Sequence, residues 1–230
     1  MLNTQINRIA CKRIATALGE LNAQVVYVGG AVVSLYIDDL AAEDIRPTKD
    51  VDITFEIATI GELEELRNNL ISKGFTQSHE DDVVCRFRYD DIKVDVMATK
   101  NIAWAPANSW FLHGFKKSET IKLDDVEIKI LPFTYFLATK FEAHSSRGGS
   151  DARFSHDFED IVYLLNHTSN FRELIISSDK TVQEFIKSEF GKICANDHLK
   201  EAIIAHLFHE NQIERYDRII SLLKVIIENS

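Results

Sequence analysis

The stretch IRPTKDVDITFE, residues 45–56, sets Asp50 and Asp52 one residue apart where a polar, proline-containing segment passes into an alternating apolar one. Acidic residues are poor strand formers, so two of them at the mouth of a strand need a reason. Residues two apart in an extended chain share a face, so the two carboxylates project together while Val51 and Ile53 turn away. Asp95 in KVDVM has the same apolar strand surroundings. If the two strands are neighbours, three carboxylates converge and repel, and a divalent cation relieves the repulsion. Oxygen-only ligands with open positions suit Mg²⁺, which also reaches substrate phosphates. Upstream, AQVVYVGG ends an apolar run in Gly29-Gly30 before a helical pattern begins. Glycines there let the backbone approach a ligand, and a new helix offers its first N–H groups to phosphate. An anion cradle, a DxD pair and a third strand carboxylate are together what metal-assisted phosphoryl transfer requires.

Other patterns compete or fall away. DVDIT also fits the DxDxT signature of haloacid-dehalogenase-like phosphatases, but there an apolar strand leads into the aspartates, and here the apolar run follows them. Lys140 falls inside the apolar stripe Phe133, Phe136, Leu137, Phe141, where a lysine needs either a partner or a snorkelling route to water. Lys140→Met keeps the stem and removes the charge, so a Lys140 that serves the chemistry predicts lower activity with little loss of stability, and one that merely snorkels predicts unchanged turnover. Asp157, just behind Ser155 as an N-cap, suits the first turn of a helix. His206, His209 and Glu210 in AHLFHE lack the HExxH order of zinc proteases. SSRGGSD (145–151) lacks the Lys-Ser/Thr of a P-loop and reads as a mobile connection, and Trp104 and Trp110 read as packing residues rather than base-stacking ones.

The elements that must position these residues follow from periodicity. Residues 5–20 pattern as an amphipathic helix, 23–30 as a short strand, and AVVSLYIDDL (31–40) has helical spacing. VDITFEI alternates as a strand, IGELEELRNNLISKG reads as a helix stopped by Gly74, and VVCRFRY and IKVDVMA form a hairpin across Asp90-Asp91. Residues 101–120 look irregular, and VEIKILP is one more strand. Beyond Pro132 only helical patterns remain, at about 133–145, 155–166, 170–177 and onward. The expectation is an α+β fold: a mixed sheet flanked by helices over 1–131, then a helical part over 132–230.

Composition narrows the class. The formal charge of −10 argues against gripping nucleic acid over the whole surface. Three scattered cysteines without a CxxC pair suit free thiols in a reducing compartment. The N-terminus lacks the pattern of a signal peptide and no window approaches a membrane span, so a cytoplasmic protein with no membrane partner is expected.

With GG, DVD and VDV in this order, the N-terminal part resembles the polymerase-β-like nucleotidyltransferase superfamily. FLATKFEAHSSRGGSDARFSHDFEDIVYLL (136–165) resembles the signature of AbiEii/AbiGii-type nucleotidyltransferases of toxin–antitoxin and abortive-infection systems. The resemblance runs from about residue 25 to 166 and implies a Mg²⁺-dependent transfer of a nucleoside monophosphate from an NTP to an acceptor hydroxyl. The acceptor it implies is an RNA or tRNA 3′ end or a protein, and the partner a cognate antitoxin. It makes Gly29 and Gly30 the triphosphate-facing turn, Asp50 and Asp52 metal ligands, and Asp95 a further ligand and the activator of the attacking hydroxyl. It adds Lys140 as a phosphate or substrate contact and Asp157 as an assisting carboxylate. The superfamily often has Gly-Ser where this chain has Gly-Gly, so a phosphate-binding hydroxyl falls to Ser34, with Thr48 and Lys49 as further nucleotide-binding candidates. The alternative is a non-catalytic nucleotide-binding or regulatory protein on the same fold.

Overall fold

A computed structural model of the chain describes residues 2–48, 50–78, 81, 84–147 and 151–228. They form two compact units: Met1–Ser34 with Asp44–Pro132, and Leu35–Glu43 with Phe133–Ser230.

In the first unit, helix α1 (Asn3–Leu18) lies against a six-stranded mixed sheet of order β3-β4-β2-β1-β6-β5. The strands are β1 (Val25–Val28), β2 (Asp50–Phe55), β3 (Arg86–Tyr89), β4 (Ile92–Ala98), β5 (Glu119–Leu123) and β6 (Val126–Ile130). Helices α2 (Ile60–Ser72) and α3 (Phe111–Phe115) complete the unit. Strand β1, VVYV, is buried at every position and holds the centre between antiparallel β2 and parallel β6. β2 pairs parallel with β4, and β4 antiparallel with β3. Helix α2 begins with a capping box between Thr59 and Glu62, and Gly74 at φ +90° lets the chain turn out of it.

Strand β5 was not expected. ETIKL puts only Leu123 into the core, so an edge strand exposed along its length carried no apolar alternation to read. It turns into β6 through Asp124-Asp125, the same dipeptide that joins β3 to β4 at Asp90-Asp91, and in each the first Asp has positive φ. Lys12 of α1 pairs with Asp124 and Asp125, and Arg13 with Asp90 and Asp91. These pairs are exposed and contribute little energy.

The helix expected over 31–40 is not formed. The chain makes a six-residue 3₁₀ turn, Gly30–Leu35, and then an irregular strap belonging to the second unit. The strap is held by side chains. The Tyr36 ring stacks on Phe136 at 4.3 Å, Asp38 accepts from the Ser169 backbone N–H, and Asp39 pairs with His167 Nδ1 at 2.8 Å. Glu43 binds Arg215 at 2.7 Å and His167 Nε2 at 3.0 Å. Polar residues that bind this many partners gain nothing from a helix that would point them elsewhere.

The second unit is built on α4 (Phe133–Ser146), whose first nine residues are all buried. Around it lie α5 (His156–His167), α6 (Phe171–Ile176) and α7 (Lys180–Ala195), with α8 (Asp197–His206) and α9 (Gln212–Glu228) outside them. Phe133, Phe141, Phe171 and Phe190 form edge-on and tilted ring contacts between 5.2 and 6.0 Å. Among the described residues no helix is long and apolar enough to cross a membrane.

Candidate active site

Register brings the strand carboxylates together. Asp52 lies opposite Asp95 across β2–β4, Arg86 lies opposite Asp95 across β3–β4, and Val28, the last residue of β1, lies opposite Asp52. Asp52, Asp95 and Arg86 therefore form one row across three strands, and Asp50 shares their face two residues along. The sequence reading of Asp50, Asp52 and Asp95 on one patch is met.

Arg86 is the residue that reading missed. Its Nε donates to Asp95 Oδ1 at 2.7 Å, and its Nη2 donates to Asp95 Oδ2 at 2.7 Å and to Asp50 Oδ2 at 3.1 Å. Hydrogen bonding to Asp95 pushes the guanidinium pKa still higher, so it is a permanent positive charge in the acidic patch. On the other side of Asp50, Thr48 Oγ1 donates to Asp50 Oδ1 at 3.2 Å.

Gly29 closes the patch. Its φ is +72°, and a Cβ there would stand 1.7 Å from Asp52 Oδ2. Only glycine meets both conditions. At Gly30 a Cβ would stand 2.6 Å from Arg46 Nη2 and 3.4 Å from Thr48 Oγ1, so a cation and a hydroxyl flank the turn. The expected α-helical N-terminus behind the glycines is absent, because the 3₁₀ turn there is too short to carry a helix dipole. Ser34 lies inside that turn with its hydroxyl buried and, among the described residues, without a hydrogen-bond partner. Lys49 lies outside the described residues.

The two glycines therefore differ in what they tolerate. Gly29→Ala is expected to cost at least about 2 kcal/mol, from left-handed strain and the clash with Asp52. Gly30→Ser meets the movable end of Arg46 and, at ordinary contact distance, Thr48 Oγ1, and is expected to cost under about 1 kcal/mol. Urea unfolding of both variants checks the ranking.

Lys140 and Asp157 come together in the second unit. Lys140 does not snorkel: it is 4% exposed, and its Nζ donates to Asp160 Oδ2 at 2.6 Å and lies 3.5 Å from Asp157 Oδ1. Arg147 Nη1 holds Asp157 Oδ2 at 2.6 Å. Ser155 caps α5 as expected, its hydroxyl accepting from the Phe158 N–H, and His144 Nδ1 lies 2.9 Å from the same oxygen. Asp160 was missed, although three residues after Asp157 it shares that helix face. The little loss of stability expected of Lys140→Met does not fit a buried ion pair.

The remaining candidates are engaged elsewhere. His206 Nε2 lies 2.8 Å from the Ala152 carbonyl oxygen. Trp104 donates to Glu64, packs on Phe87 and carries Arg67 over its ring, which makes it a cover for the sheet. Of SSRGGSD, residues 148–150 lie outside the described residues. Burial pushes the Cys11 thiol up to about 12 and the Cys85 thiol up to about 11, so neither is a poised nucleophile.

Among the described residues no three carboxylate, imidazole or thiol groups form a ready-made metal cage. Two carboxylates on one face, with the other positions left to water and phosphate oxygens, are nevertheless the donor set Mg²⁺ takes in phosphoryl-transfer sites. Asp50 and Asp52 fit that set.

The family model for the nucleotidyl transferase AbiEii toxin of a type IV toxin–antitoxin system matches residues 15–222. The chain belongs to this family. The AbiEii match extends well past residue 166 and takes in α6 to α8 and part of α9. An antigenic nucleotidyltransferase-like protein from Paracoccidioides brasiliensis has a similar fold, with a TM-score of 0.52 and 14% identity over 85% of this chain and 92% of that one. JHP933 from Helicobacter pylori is similar at a TM-score of 0.46 and 12% identity, over 96% of this chain and 92% of that one. No curated protein matches the chain in sequence. Membership of the AbiEii family, with Asp50 as the first residue of its strand rather than beyond its end, speaks against the phosphatase alternative.

Proposed function

We propose that this AbiEii-family chain transfers a nucleoside monophosphate from an NTP to an acceptor hydroxyl at the β2–β4 carboxylate floor. The observation that carries the reading is the row Gly29, Asp52, Asp95: a backbone turn that excludes any Cβ, directly against a carboxylate, which lies beside a second one. Asp50 and Asp52 would hold Mg²⁺, which when bound neutralises triphosphate charge. Gly29 and Gly30 let the triphosphate approach the backbone, and Arg46 and Thr48 stand beside Gly30 where they can meet its oxygens. Asp95 would take the proton from the acceptor hydroxyl, since each carboxylate oxygen keeps a second acceptor site beside the one Arg86 uses. The acceptor oxygen forms a bond to the α-phosphorus, the bond to the β-phosphate breaks, and pyrophosphate leaves.

The family is that of the toxin of a type IV toxin–antitoxin system, which supports a cognate antitoxin as partner; the acceptor in this reading is an RNA 3′ end or a protein hydroxyl. Incubating the protein with each α-labelled NTP, Mg²⁺ and either total RNA or total protein tests the reading. Label is expected on one acceptor class with at least one NTP and not without Mg²⁺. No transfer from any NTP to either acceptor would count against it.

A further inference from the structure

We propose that Arg86 is a built-in counter-cation of the carboxylate floor, fixing Asp95 through two nitrogens and holding Asp50 only until a divalent cation takes that carboxylate from it. This rests on the metal reading of Asp50 and Asp52 and adds a positioning residue to it.

Asp50, Asp52 and Asp95 bring three negative charges to one face of the sheet, and Arg86 returns a positive charge in contact with two of them; Lys93, opposite Asp50, and Arg88, opposite Lys93, stand further along the same face. Its two contacts with Asp95 are a fork-on-carboxylate pair, both at 2.7 Å, between residues directly opposite in the β3–β4 register. Strand pairing and bidentate geometry reinforce each other there. The contact with Asp50 is single, longer at 3.1 Å, and made by the same Nη2 that already serves Asp95. The Asp50 side chain is 31% exposed and the Asp95 side chain 14%, so Asp50 is the one an entering ion meets first. A divalent ion on Asp50 outcompetes a shared, monodentate guanidinium contact but leaves the Asp95 fork in place.

Two consequences follow. The guanidinium lowers metal affinity, because a fixed positive charge beside the ligands repels the incoming ion. It also keeps the metal-free floor from repelling itself apart, so apo stability and metal affinity move in opposite directions when Arg86 is changed. A purely structural arginine would lower both.

The test is Mn²⁺ titration of the full chain, with free Mn²⁺ followed by its EPR signal and thermal unfolding measured with and without the ion. Arg86→Gln is expected to bind Mn²⁺ at least about tenfold more tightly than wild type and to melt lower without it. Equal or weaker Mn²⁺ binding by Arg86→Gln overturns the proposal. A second measurement needs no variant. On adding Mg²⁺ to wild-type protein with ¹⁵N-labelled arginine, the Arg86 Nη signals should shift to saturation while the Nε–H signal stays in place. Loss of the Nε–H signal, or no shift at Nη, overturns it as well. If wild type binds Mn²⁺, Asp50→Asn abolishes that binding and Arg86→Gln binds as wild type does, only the role of Arg86 falls. If none of the three proteins binds Mn²⁺, the metal reading falls with it.

Discussion

Asp52→Asn is expected to lower nucleotide transfer by at least about 100-fold while leaving the metal-free protein folded. Asparagine keeps the shape of the side chain against Gly29, so the turn stays closed, and it removes one of three like charges. Relief of the repulsion with Asp95, its neighbour across β2–β4, offsets part of what the loss of the carboxylate charge costs. The transition state loses more: a neutral amide is a poor Mg²⁺ ligand, and the charge building on the leaving pyrophosphate is no longer balanced. Asp50→Asn should behave alike in activity but also weaken the 3.1 Å contact from Arg86. Steady-state transfer and thermal unfolding on the same preparations separate the effects. Turnover within about threefold of wild type for Asp52→Asn would place the chemistry elsewhere. A chain that binds NTPs in a metal-dependent way yet transfers nothing even as wild type would be the regulatory protein on the same fold.

The floor was legible because strand periodicity makes it so. Any residues i and i+2 in a strand share a face, and once β2 and β4 are read as neighbours the convergence of Asp50, Asp52 and Asp95 needs only counting. Arg86 is legible by the same count. A two-residue turn at Asp90-Asp91 pairs Tyr89 with Ile92 and, three residues further back, Arg86 with Asp95. What could not be read was structure made by partners distant in sequence. The helical pattern of 31–40 runs into a strap, 35–43, that takes its conformation from Tyr163, His167, Ser169 and Arg215, all more than a hundred residues away. Strand β5 is defined by pairing with β6 rather than by its own residues, and an exposed edge leaves no apolar alternation to find. The apolar stripe leaves Lys140 either a partner or a snorkelling route to water, and it does not say which carboxylate meets it.

That partner decides the last expectation. Lys140→Met is expected to destabilise the protein by about 3–5 kcal/mol, the cost of removing one side of a buried ion pair. The methionine fills much the same space among Phe136 and its neighbours, so packing is nearly conserved. What remains is Asp160, 3% exposed and without its 2.6 Å ammonium contact, and Asp157 with Arg147 as its remaining cation. A buried carboxylate deprived of its cation favours the protonated form, which raises its folded pKa above the unfolded value. Stability held by such a group is present below the unfolded pKa and lost as pH rises through the folded one, so the deficit of Lys140→Met against wild type should shrink from pH 7 to pH 5. Pairing it with Asp160→Asn should recover a large part of the loss, since removing both charges leaves less unpaired than removing one. Urea denaturation of the four proteins of this cycle at both pH values provides the test. If Lys140→Met unfolds at the wild-type midpoint at both pH values, the ion pair with Asp160 does not hold the helices and this expectation fails.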